Sequence, residues 1–253
     1  MSTLPGTMPG MATRSDPASG VQRRWRGREP ADRVAARRAQ LVEAGLELMG
    51  TVGAHAVSMR GVCRQAGLTE RYFYESFGHV DELLIEVLDL VVLQARDTLL
   101  AAVRAAPPQL GPLIRHGVRA FTDFVLADRR RGRVMFSESQ ATPALASRGA
   151  QLIAEFTGPI AATLRNRGLP AHLSDDAPPP DAPPPAAALD DTALDDTDVE
   201  LNALAIFGAL AFLYPRWLRP GGGEEPEVSK ERFVEHVAQV IEQLADARST
   251  PRR

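Results

Sequence analysis

A chain of 253 residues with 44% hydrophobic residues can build one large or two modest domains around a proper core. Its one cysteine, Cys63, rules out an internal disulfide, and its five scattered histidines show no metal-ligand spacing, so no metal, redox chemistry or cofactor is expected. The net charge of −3 is split, with 11 Arg against 7 acids in residues 1–80 and 18 basic against 25 acidic residues in 81–253, as in a DNA-binding head joined to a second body.

An Arg-rich composition also follows from GC-rich coding alone, so charge does not decide the matter. Residues 1–31 carry Pro, Gly, Ser and Thr without apolar periodicity and are expected to be a disordered arm. Its end, Arg23-Arg24-Trp25-Arg26-Gly27-Arg28, can track phosphates or a minor groove, or remain a solvated tail. From Asp32, an expected N-cap, Val34, Leu41, Gly45, Leu48, Met49 and Val52 recur at helical spacing up to Gly53. Ser58 caps a short second helix that buries Val62, Cys63 and Ala66; Gly67 supplies a turn; Thr69 caps a third helix to Ser76. Two short helices across a glycine turn, behind a longer one, make a helix-turn-helix over residues 32–80.

Asp81 opens a long helix to Ala105, stopped by Pro107-Pro108. Further helices are expected over 110–127, 129–139, 143–167, 199–218 and 229–247, with Pro215 kinking or ending its helix near Trp217. The fold class is all-α: an N-terminal three-helix helix-turn-helix domain followed by a helical body, with a core over 81–169 and a final helix pair over 199–247. Residues 170–198, with two Pro triplets and eight Asp but no Lys or Arg, read as an extended acidic linker, a specific interaction arm being the other reading; 248–253 form a tail. The longest apolar run, 83–103, is interrupted by Asp89, Arg96 and Asp97, and the N-terminus lacks an apolar leader, so no membrane partner and a cytoplasmic address are expected.

The stretch from Val57 to Phe77 (Val57-Ser58-Met59-Arg60-Gly61-Val62-Cys63-Arg64-Gln65-Ala66-Gly67-Leu68-Thr69-Glu70-Arg71-Tyr72-Phe73-Tyr74-Glu75-Ser76-Phe77), followed by Asp81-Glu82-Leu83-Leu84, closely resembles the DNA-binding signature of the TetR family over about residues 34–88. The resemblance implies a homodimer that binds palindromic double-stranded operator DNA and a C-terminal domain that releases it on binding a small molecule. Thr69, Glu70, Arg71 and Tyr72 occupy the outward positions of the recognition helix, where Arg71 suits guanine O6 and N7. Arg60 matches a base-contacting position of the family, and Ser58 and Tyr74 match phosphate-contacting ones. Val80 stands where the family usually has a phosphate-contacting Lys and Ser76 where it has an aromatic or His, so phosphate contact leans on His79, Ser76 and the N-terminal Arg knot. Phe73 and Phe77 are expected to point inward, and Cys63 to be inert packing.

The same resemblance places Phe121, Phe124, Met135, Phe136, Leu152 and Phe156 around an effector cavity, with His116, Arg133 and Glu138 as polar contacts; ordinary core is the other reading of each aromatic. Leu201, Leu204, Ala205, Gly208, Ala211 and Phe212, with Val237, Val240, Ile241 and Leu244, resemble the helices of the family's intersubunit four-helix bundle. The function expected is a ligand-responsive repressor released by a small, mostly apolar effector. The alternatives are an activator or architectural DNA binder whose body only dimerises, or an adaptor using the acidic linker. An enzyme would have to assemble His116, Glu138 and a Ser or Thr, and no spacing favours one.

Overall fold

The structure, a computed structural model, describes residues 30–166, 195–218 and 228–247. The basic knot at 23–28, most of the 170–198 stretch and the 248–253 tail lie outside the described residues. Among those described, the elements are α1 (Pro30–Thr51), α2 (Met59–Ala66), α3 (Glu70–Ser76), α4 (Val80–Ala105), α5 (Leu110–Ala127), α6 (Arg129–Phe136), α7 (Pro143–Asn166), α8 (Asp196–Leu218) and α9 (Lys230–Ala245), with 3-10 turns at Ala54–Ala56 and Glu138–Gln140 and no strand.

Local chemistry accounts for the helix-turn-helix. Ser58 Oγ accepts the Gly61 N–H at 3.2 Å and starts α2. Gly67 ends it at φ 65°, a left-handed conformation that only glycine adopts cheaply, and the Leu68 N–H closes on the Cys63 carbonyl at 2.9 Å. Phe73 and Phe77 are buried among Leu41, Met49, Val62, Leu83, Leu84 and Val87, so α1 to α4 share one core. Cys63 is buried in it, and that burial raises its thiol pKa. Arg38 fastens the outside of this core: it lies 4.2 Å above the Phe77 ring, pairs with Glu86 of α4 and donates to the Ser76 carbonyl. Two expectations change. Asp32 lies in the first turn of α1 and does not precede it, and Thr69, at the N-cap position of α3, makes no capping bond. Val34 and Val52 are exposed ends of the α1 stripe.

Helix α4 runs out of this first core into a second. Its Ala95 packs with Val118, Phe121 and Val125 of α5, with Ile206 and Tyr214 of α8, and with Phe233 and Val237 of α9. Tyr214 is fully buried; Phe121 and Phe233 meet its ring edge-on at 5.0 Å, and its hydroxyl bonds Thr122 Oγ1 at 2.7 Å. Trp217 stacks on Phe233 at 4.1 Å.

Two boundaries near the cavity differ from expectation. Helix α6 ends at Phe136 and the chain turns through Glu138–Gln140, because Glu138 is drawn to backbone elsewhere, as described below. Helix α8 begins at Asp196, inside the stretch expected to be linker. The Asp195 carboxylate accepts the Asp198 N–H at 2.7 Å, and acids at a helix N-terminus are favoured by its dipole. At its other end α8 stops at Leu218, as expected, with Pro215 inside its last turns and Tyr214 and Trp217 buried on either side of the proline. By length and composition α8, with a mean hydropathy of 1.3 over its most apolar 18 residues, is apolar enough to cross a membrane.

Candidate nucleic-acid interface and cavity

Ser58, Arg60, Thr69, Glu70, Arg71 and Tyr74 are all exposed, at the starts of α2 and α3 and along α3. Arg60 Nε lies 3.2 Å from Glu70, and Arg71 Nε lies 3.0 Å from Glu75 one turn on. Both arginines are more than 80% exposed, so the pairs contribute about 0–1 kcal/mol and exchange partners readily. Tyr72 is half-buried under the Arg37 guanidinium, 4.4 Å above its ring. Ser76 is half-buried, with its carbonyl taken by Arg38. His79 is the N-cap of α4: its Nδ1 accepts the Glu82 N–H at 3.2 Å, which leaves the ring proton on Nε2 as a donor. Glu82 in turn accepts the Gly78 N–H at 2.7 Å. These bonds join α1, α2, α3 and the start of α4 into one exposed polar surface.

A clasp that sequence reading missed ties this surface to the body. Gly50 of α1 lies so close to α6 that a Cβ there would stand 2.5 Å from Arg130 Cβ. At this approach Arg130 donates to Glu43 at 3.0 Å, to Glu47 at 2.7 Å and to its own helix cap, Asp128, at 2.7 Å. The hydrogen bonds from Arg130 hold the Asp128 carboxyl below its ordinary pKa. One turn on, Arg133 Nε donates to Glu138 Oε1 at 3.0 Å while Glu138 Oε2 accepts the Ala54 N–H at 2.7 Å; Arg133 also donates to the Thr51 carbonyl. Glu138, expected in the effector site, is thus a buried link between α6 and the end of α1. Charge pairs 80 or more residues apart leave no local signature in sequence.

Behind the clasp is a cavity of about 350 Å³, near the lower end of the 300–1,000 Å³ typical of ligand sites. Phe121, Met135, Phe136, Leu152 and Phe156 line it, together with Ser139 and Gln140 of the turn after α6. His116 and Phe124 do not: His116 is exposed on α5, and Phe124 stacks beside Phe121 under the Arg131 guanidinium. The walls also include a stripe of α4 (Leu88, Val92, Arg96, Leu99, Val103), inside the expected 81–169 core, and one of α8 (Ile206, Phe207, Leu210, Tyr214), outside it. The α4 stripe recurs every three or four residues, but periodicity does not tell a cavity wall from a packed core. Among the described residues no group of three His, Cys, Asp or Glu is placed to hold a metal ion.

Helix α8 is apolar on both sides. Ala211 faces the cavity, whereas Leu201, Leu204, Ala205, Gly208 and Phe212 form an exposed stripe at helical spacing, Phe212 being 80% exposed. A Cβ added at Gly208 would meet nothing within 4 Å. Val237 and Ile241 of α9, expected on an intersubunit face, are buried in the second core of their own chain, and Leu244 packs against it. The exposed side of α9 is polar, with Glu235, His236, Gln239 and Gln243.

A family model described as bacterial regulatory proteins, tetR family, matches residues 41–87. The HTH-type transcriptional regulator BetI of Rhizobium meliloti (strain 1021) is 34% identical over 87 residues, 33% of this chain and 43% of the relative, so the chain spans under half the length of the curated relative it matches. Among solved structures, the fatty acid degradation regulator FadR from Bacillus halodurans superposes with a TM-score of 0.62 at 14% identity, over 81% of this chain and 94% of that one. FadR from Bacillus subtilis, solved in complex with stearoyl-CoA, gives 0.56 at 15% identity, over 82% and 97%. At these identities the superpositions speak for the fold.

Proposed function

We propose that this chain, which matches the tetR-family model over residues 41–87, is a DNA-binding transcriptional regulator of that family, and that it acts as a cytoplasmic, non-enzymatic repressor that grips a palindromic operator as a homodimer and lets go on binding a small, mostly apolar effector. The observation that carries this reading is the double duty of residues 129–140. Met135, Phe136, Ser139 and Gln140 line the cavity, while Arg130, Arg133 and Glu138 of the same segment hold α1 of the DNA-binding domain. A ligand that prefers one arrangement of this segment biases the spacing of the two recognition helices, and a preference of about 1–3 kcal/mol is typical of such coupling. The homodimer reading is supported by the α8 stripe, whose large side chains would each gain roughly 1.5–3 kcal/mol on full burial. The division proposed is 32–80 for DNA, 81–169 with the inner side of α8 for the effector, and the outer side of α8 for pairing.

On the DNA side, Thr69, Glu70, Arg71 and Tyr72, with Arg60, are the base-facing candidates, and Ser58, Tyr74, Ser76 and His79 the phosphate-facing ones. Once an operator has been selected from random DNA, Arg71→Ala is expected to weaken it by about 1–3 kcal/mol and relax one base position, whereas Tyr74→Phe weakens all sequences evenly. Binding curves on operator and random DNA check this; equal losses on both for Arg71→Ala would make Arg71 a phosphate contact. On the ligand side, Phe156→Trp fills the cavity and is expected to shift the dose of effector needed for release, while Phe124→Trp, outside the cavity, leaves it unchanged. Equal responses of both variants in a release titration would remove the cavity from the mechanism.

A further inference from the structure

We propose that the ligand of this cavity is an elongated, uncharged aliphatic molecule with one hydrogen-bonding end group, and not a carboxylate, an acyl phosphate ester or an amine. The inference rests on the reading of the cavity as an effector site and adds the chemical class. Shape comes first. The lining runs along α4 from Leu88 to Val103 and along α7 from Gly149 to Leu164, roughly 22 Å on each helix at 1.5 Å per residue. A volume of about 350 Å³ drawn out over that length is narrow, which favours a single chain over a fused ring system.

Charge decides the end group. Among the described residues, Arg96 and Glu155 are the charged members of the lining, and they pair with each other, Arg96 Nη1 donating to Glu155 Oε2 at 2.7 Å. Arg96 Nη2 and Nε donate to Asp97 Oδ1 at 2.9 and 3.1 Å, so two carboxylates share one cation that is 30% exposed. An anionic head would have to displace Glu155 beside a second carboxylate. An ammonium head would leave water for a wall whose one carboxylate is already paired, and stripping a charge without a partner is costly. The remaining polar groups are mostly satisfied within the protein: Tyr214 by Thr122, Ser139 by the Met135 carbonyl, Thr163 by the Pro159 carbonyl. Gln140, an exposed residue of the turn after α6, offers an amide at the cavity, and an amide serves a hydroxyl or carbonyl equally well.

The test is calorimetric titration of the full-length protein with decanol, decanoate and decylammonium at neutral pH. Decanol is expected to bind at least about tenfold more tightly than either ion. Glu155→Gln should raise the ratio of decanoate to decanol affinity at least about threefold, because it frees one side of Arg96; Arg96→Gln should keep that ratio as low as in the wild type. Decanoate equal to decanol in the wild type would make Arg96 a head-group receptor and overturn the proposal, as would a preference for decylammonium through Glu155. Binding of none of the three would overturn it together with the effector reading, a result distinct from binding with the wrong charge preference.

Discussion

Gly208→Arg is expected to produce a folded monomer whose operator affinity is lower by two orders of magnitude or more, since a second half-site joined through the dimer adds roughly 10²–10⁴ to apparent affinity. The position suits the experiment because a Cβ there meets nothing within 4 Å, so the substitution does not disturb the chain's own core. Its neighbours on the same side, Leu204 and Phe212, are 51% and 80% exposed, and an Arg placed between them would have to lose water on pairing. Light scattering together with circular dichroism reads the outcome. A variant that stays dimeric with unchanged operator affinity would move the interface off α8; a variant that stays folded and monomeric yet binds as tightly as wild type would remove the need for pairing.

Glu138→Ala is expected to cost about 2–3 kcal/mol of stability and to blunt the response of operator binding to effector. The carboxylate is buried, holds the Ala54 N–H at 2.7 Å and meets Arg133 at 3.0 Å. Truncation leaves a buried backbone donor without an acceptor, about 1–3 kcal/mol by itself, and leaves Arg133 only the Thr51 carbonyl. Glu138→Gln keeps the acceptor for Ala54 and should lose less than half as much. For a domain of this size the alanine variant corresponds to a fall in melting temperature of roughly 5–10 °C. An unchanged melting curve together with an unchanged effector response would show that Glu138 neither supports the joint nor carries the signal through it.

Reading the helix-turn-helix from sequence worked because its determinants are local. A capping serine at 58, a left-handed glycine at 67 and aromatic residues four apart at 73 and 77 act within a few residues of themselves, and the structure shows each acting that way. Thr69 is the exception, since the residue type that caps helices also stands in for other roles at the same position. The cavity was half legible. The family resemblance pointed to Phe121, Met135, Phe136, Leu152 and Phe156, which line the cavity, whereas Leu88, Val92 and Leu99 look like any buried leucine or valine of a long helix. Phe124 and His116 were misplaced because neighbouring helix positions differ by about 100° of direction, which composition does not resolve. For the same reason Val237 and Ile241 were assigned outward when they serve their own core. Arg130, Glu43 and Glu47 form a unit that only tertiary proximity creates.

The exposed stripe of α8 also shapes how such a regulator responds to its own abundance. If pairing through Leu204, Gly208 and Phe212 is a condition for holding DNA, two newly made chains must meet before either can act. At low expression the paired species then grows with the square of chain number, so a modest rise in synthesis crosses a threshold instead of adding operator occupancy in proportion.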